Sequence, residues 1–162
     1  MKKIKMVLPL LFSLTFVGCA SVPKANQAQS QQMKTLSTLA PEKAGIYVYR
    51  DNSMKGAVLK KDVWINSECL GEISRGVFFY KEVDGGKDYI ISTESEFSPN
   101  HLSLPIEAGK FYYIQQKIKM GAFVGGAKLE TVDETKAKDI ISKNDMGIIG
   151  KCSKQKIELP KK

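Results

Sequence analysis

The chain has one histidine and two arginines among its 162 residues, and three cysteines. A Ser-His-Asp arrangement or a histidine-rich metal centre would have to be built on His101. Its neighbours Pro99 and Asn100 place it in a loop with no other candidate ligand a few residues away, so a solvated side chain is expected. Arg50 and Arg75 are the only guanidinium groups; the remaining positive charge is lysine, which meets phosphate as a point charge without a bidentate fork. The formal charge of +8 is carried by the two ends, because residues 44–143 hold 14 basic and 14 acidic residues. A balanced domain has no electrostatic footprint for a polyphosphate, which argues against nucleic acid as a partner. The glycine-rich run from Gly121 to Gly126 lacks the lysine and hydroxyl of a phosphate loop. Glu94 and Glu96 lie in a polar stretch where solvation explains them better than acid–base work. No catalytic residue, metal site or cofactor is expected.

Also missing is an apolar run long enough to span a bilayer. Met6 to Val17 follows Lys2, Lys3 and Lys5 and is interrupted by Pro9, Ser13 and Thr15. As a helix it would reach roughly 18 Å, against a hydrocarbon core of roughly 30 Å. The pattern is that of an export signal over residues 1–18. Its end, Thr15-Phe16-Val17-Gly18-Cys19, resembles a bacterial lipobox, in which the cysteine becomes the lipid-bearing first residue. The resemblance implies acyl chains on Cys19, each buried CH₂ contributing about 0.8 kcal/mol to membrane attachment. Ala20-Ser21 follows, without the aspartate that favours inner-membrane retention in such lipoproteins, so the periplasmic face of the outer membrane is the expected location.

Between Ala20 and Lys43 there is no aromatic residue, and Gln, Ser, Ala and Lys dominate. Such a stretch buries too little surface to offset its ordering entropy, and residues 19–43 read as a lipidated, flexible tether. The alternative is a short amphipathic helix with Met33, Leu36 and Leu39 on one side, docked on the domain.

What is present is a domain over residues 44–143 made of short strands separated by turn residues every eight to twelve positions. Gly45 to Arg50 is apolar on both faces and fits a central strand. Val63-Trp64-Ile65 and Leu70 to Ile73 flank a polar hairpin turn, and Asp84-Gly85-Gly86-Lys87 reverses the chain after Val77 to Val83. Phe111 to Met120 alternates as a half-buried strand. Thr131 to Glu134 has capping-box spacing and opens a helix through Lys143. The expected fold is all-β, mainly an antiparallel β-sandwich of about seven short strands with one C-terminal helix, followed by a basic tail over residues 144–162. The tail lysines could attract an anionic surface or simply be solvated.

The succession of Ile46-Tyr47-Val48-Tyr49-Arg50, Trp64-Ile65-Asn66 with Leu70-Gly71-Glu72, the Val83 to Lys87 turn, and Ala108-Gly109-Lys110-Phe111-Tyr112-Tyr113 resembles a family of short Gram-negative envelope lipoproteins. These carry one β-rich domain of unknown function, and the resemblance implies no catalytic residue. With Cys19 set aside, Cys69 and Cys152 remain, an even number in a chain bound for an oxidising compartment. They read either as a disulfide or as two separate thiols. Phe123 either tucks into the core at a flexible turn or stands out as an apolar finger that touches a partner or lipid. The expected function is a lipid-anchored periplasmic binding or scaffolding module, held to the membrane through Cys19 and open to an envelope protein partner. The competing readings are a cell-wall hydrolase and a periplasmic inhibitor or immunity-type protein.

Overall fold

Ala44 to Arg50 has no polar side to turn outwards, and it becomes the most enclosed strand of the protein. The structure, a computed structural model, describes residues 20–122 and 125–160. In chain order these form α1 (Gln27–Lys34), β1 (Lys43–Arg50), β2 (Lys61–Ile65), β3 (Glu68–Ile73), β4 (Val77–Asp84), β5 (Lys87–Thr93), β6 (Asn100–Ile106), β7 (Phe111–Lys119), β8 (Gly126–Thr131), α2 (Glu134–Ser142) and β9 (Asp145–Met146). One sheet has the order β8-β7-β1-β4-β9 and the other β3-β2-β5-β6. β1 runs antiparallel to β4 and parallel to β7, which makes it the centre of the larger sheet. The protein is mostly β, with nine strands among the described residues where about seven were expected, and two helices where one was.

Side-chain alternation sorts the residues of the larger sheet into two buried layers. Ala44, Ile46 and Val48 of β1, Val77 and Phe79 of β4, and Ile114 of β7 face the smaller sheet. There they share one core with Val63, Ile65, Leu70, Ile73, Ile91 and Ile106. The other face carries Tyr47, Tyr49, Phe78, Tyr80 and Tyr113, covered by both helices through Met33, Ala137 and Ile141 and by Leu36 just after α1. This second layer explains why Phe111–Lys119 is more enclosed than a half-buried strand: Tyr113 is buried in the layer that the helices cover, Gln115 is buried too, and the strand opens to solvent at its far end, at Lys117 and Lys119.

The tether expectation fails over the described part of residues 19–43. Residues 27–34 form α1, capped by Asn26, whose side chain accepts from Gln29 N. The Tyr47 hydroxyl donates to Met33 O at 2.6 Å, Ala25 N donates to Met146 O, and Val22 and Ser30 are buried. The segment contributes little apolar surface of its own, and it orders because the aromatic face of the larger sheet needs a cover. The alternative, a docked helix over residues 33–39, is met only in part: α1 ends at Lys34, so Met33 lies in the helix, while Leu36, which also packs on the aromatic layer, and Leu39 lie beyond it.

The tail expectation fails as well, since residues 144–157 are part of the body. Asn144 is 1% exposed, β9 extends the larger sheet, and the chain then runs along the open edge of β3 as a strap. Gly150 N donates to Leu70 O, Glu72 N to Lys151 O, Cys69 N to Gln155 O and Ile157 N to Ser67 O. An edge strand is a row of unpaired amides and carbonyls, and the strap satisfies it. Two local readings also change. α2 is capped by Asp133, which accepts from Thr135 N and Lys136 N, because β8 runs on through Thr131. In the Gly85-Gly86 turn only Gly86 takes a positive φ, 72°. Gly85 is required for space, as a Cβ there would lie 2.4 Å from the Ala108 backbone.

Candidate functional site

The Asn66-Ser67 turn, with φ of 47° and 68°, closes the β2–β3 hairpin tightly and leaves a cleft between it and the end of β4. The cleft has a volume of about 450 Å³, within the usual range for small-ligand sites. Its floor is Ile65, Leu70 and Val83, and Tyr89 and Ile149 contribute apolar walls. The rim is charged. Asp84 accepts from Lys43 Nζ at 2.7 Å and from Lys87 Nζ at 2.6 Å. These two ammonium groups, by hydrogen bond and charge, hold the Asp84 carboxyl down to about 2. Asp84 therefore stays ionised near neutral pH, with no proton to give and little basicity there. Lys81 and Glu82 complete the rim, both exposed and without a salt-bridge partner among the described residues. The arrangement suits holding an apolar group beneath a mixed-charge rim.

Cys69 and Cys152 stand at the edge of this cleft as a disulfide, with Cα atoms 6.1 Å apart and Cys69 lining the cleft. The bridge fastens the strap to β3. Beneath the strap lies Asp62, 0% exposed, whose Oδ2 accepts from Ser153 Oγ at 2.5 Å and from Lys154 N at 3.0 Å. Next to it Trp64 donates its indole N–H to Lys154 O at 2.8 Å. Asp62 carries no signal of its own in the sequence; the docked strap covers it and supplies the partners of its Oδ2.

His101 is on β6, not in a loop. It sits directly opposite Ser92 of β5, with Nδ1 2.7 Å from Ser92 Oγ. Ser92 is 0% exposed, so its hydroxyl cannot reach a substrate from this position. The pair is a cross-strand hydrogen bond. Glu94 and Glu96 accept backbone hydrogen bonds from Asp62 N and Ala122 N. Among the described residues no cluster of His, Cys, Asp and Glu could hold a metal, and no helix is long and apolar enough to cross a membrane. Cys19 and Phe123, the lipidation and contact candidates, lie outside the described residues.

Residues 40–127, from just before β1 into β8, match the family model described as protein of unknown function (DUF2846). A relative in Haemophilus influenzae, titled only as an uncharacterized protein, is 43% identical over 136 residues. The match covers 84% of this chain and 80% of that one, so it reaches beyond the family segment. On the matched segment, which carries the hairpin and the floor of the cleft, the chain belongs to the DUF2846 family of β-rich proteins of unknown function.

Proposed function

We propose that the chain is a lipid-anchored module of the cell envelope, a β-sandwich that binds or scaffolds and performs no chemistry. The observation that carries this reading is the Cys69–Cys152 disulfide. Bridges of this kind persist in oxidising compartments and are rare in a reducing cytosol. It agrees with the basic n-region, the short apolar run and Cys19, which together read as export followed by acylation, the outer membrane being the destination that Ala20-Ser21 favours. The cleft beside the disulfide supplies a place for an apolar group of an envelope partner. Ser92 is shut inside and Asp84 is clamped by two lysines, which supports binding over hydrolysis.

Fractionation of cells producing the Cys19→Ser chain tests the anchor. Wild-type protein is expected to stay with outer membranes through a high-salt wash, whereas the variant is expected to be washed off or to accumulate unprocessed. Co-migration of the variant with salt-washed outer membranes at the wild-type level would sink the anchor. A second measurement addresses chemistry. His101→Ala removes the partner of a buried hydroxyl, for a cost of about 1–3 kcal/mol, and is expected to complement a deletion strain fully. Lost complementation with an unchanged melting temperature would favour the enzyme reading.

A further inference from the structure

Among the described residues, the four most exposed large hydrophobic side chains are Met54, Val58, Phe97 and Met120, at 76%, 70%, 81% and 87%. All four sit at one end of the fold, on three connections. β1 and β7 are parallel, so Met54 and Met120 follow strands that leave the sheet at the same end. β5 delivers Phe97 there too, because Thr93 pairs with Val63, just after the 51–60 connection. The connections touch one another. A Cβ on Gly56 would lie 2.7 Å from Ile118, one on Gly125 would fall against Leu59, and Ala122 N donates to Glu96 Oε2 at 2.8 Å.

The charges at this end are unevenly engaged. Lys55, Arg75 and Lys119 have no carboxylate within salt-bridge distance among the described residues. The Arg75 guanidinium lies 2.8 Å from Met54 Sδ. The acids are turned to the protein itself: Asp51 accepts from Ser53 N and Gln115 Nε2, Glu94 from Asp62 N, and Glu96 from Ala122 N. Exposed apolar tips among unpaired cations complement a surface of anionic headgroups over hydrocarbon.

An independent observation orients this end. Ala20 and Ser21 line a recess with Asn52, Ser74, Arg75 and Gly76, at the same end of the sheets as the three loops. Cys19 precedes Ala20 by one peptide unit, about 3.8 Å between Cα atoms. Because residues 22–34 are docked on the body, an acylated residue 19 has little slack, and the membrane it enters lies beside the loops.

We propose that the end bearing Met54, Val58, Phe97 and Met120 is a membrane-contacting face that docks on an anionic bilayer surface, its apolar tips entering the interface and Lys55, Arg75 and Lys119 meeting headgroup phosphates. The position of the bilayer beside this end rests on the anchor reading; the surface chemistry does not. The face holds the domain upright on the leaflet and points the Asn66-Ser67 hairpin and its cleft, at the opposite end, away from the membrane.

The test uses the full chain reconstituted in phosphatidylcholine vesicles with and without phosphatidylglycerol, a diazirine probe confined to the lipid phase, and peptide mapping of the adducts. Adducts are expected in the 51–60, 94–99 and 117–122 segments and not around Tyr89 or Glu107 to Lys110. They should fall roughly five-fold for Lys55→Ala and again for Lys119→Ala, and should fall when phosphatidylglycerol is omitted or salt is raised. Val58→Asp with Met120→Asp should abolish them at all three loops without changing the melting temperature. Loops free of adducts, or labelled no more than the opposite end, would overturn the proposal. So would crosslinking of unlabelled loops to another polypeptide in intact envelopes, which would assign the face to a protein partner. The N-terminal peptide in the same sample reports on the anchor separately. Loop adducts with an unmodified Cys19 sustain the face and remove the anchor, whereas acylated Cys19 with unlabelled loops does the reverse.

Discussion

Trp64→Ala is expected to lower the free energy of unfolding by about 3–5 kcal/mol, the range for truncating a large aromatic side chain in a well-packed site. Trp64 is 1% exposed although it lies on the face of β2 opposite Val63 and Ile65, which fill the core between the sheets. The strap is what covers it. Its indole N–H donates to Lys154 O, and the adjacent Asp62 receives Ser153 Oγ and Lys154 N. Removing the ring opens a cavity and loosens the strap at once. Denaturant unfolding followed by circular dichroism measures the loss, since the variant has no tryptophan left to report by fluorescence. Trp64→Phe should cost much less, because most of the packing remains and about 1 kcal/mol of hydrogen bonding goes. A Trp64→Ala cost below about 1 kcal/mol would mean that the strap does not enclose this ring.

Replacing the disulfide with the Cys69→Ser and Cys152→Ser pair is expected to produce a loss of similar size. The bridge spans 83 residues of sequence separation, for which the chain-entropy model gives about 4.5 kcal/mol, within the few kcal/mol commonly seen when a native bridge is removed. At about 2–4 °C per kcal/mol, the melting temperature should fall by about 9–18 °C. The strap also loses its fastening to β3, where its main-chain bonds to Leu70, Glu72, Cys69 and Ser67 lie near the surface. Trp64, the only tryptophan, is then a local probe. Its emission should move toward that of a solvated indole in the double variant, and in wild type after treatment with a dithiol, well below the denaturant midpoint. An unchanged emission in the reduced chain would show the strap held by its hydrogen bonds alone.

The sequence was most legible where a residue's role depends on near neighbours. Gly45 to Arg50 is apolar on both faces and became the central strand, and the polar stretch after Ile65 became a hairpin with Asn66 and Ser67 at positive φ. It was least legible where a segment is ordered by something distant in the chain. Residues 20–43 have the composition of a linker and order as the cover of Tyr47, Tyr80 and Tyr113. The helix start moved from Thr131 to Asp133 because pairing of Thr131 with Ile114 extends β8. Arg50, the last residue of β1, is 2% exposed and donates to Leu59 O and Gly56 O, shaping the 51–60 connection.

By itself the sequence determined the β-rich class, the balanced charge of residues 44–143, the scarcity of catalytic side chains and the two cysteines available to pair, since these follow from composition, period-two alternation and turn chemistry. Only the tertiary structure decided that the segments on either side of the domain belong to it. A sheet with aromatic residues on its outer face and an edge strand with unpaired amides both need covering, and the nearest polypeptide able to cover them is the chain's own N-terminal helix and C-terminal strap. The same packing buried Asp62, opened the cleft beside the disulfide and gathered Met54, Val58, Phe97 and Met120 at one end, because strand direction sets which loops become neighbours and sequence separation does not.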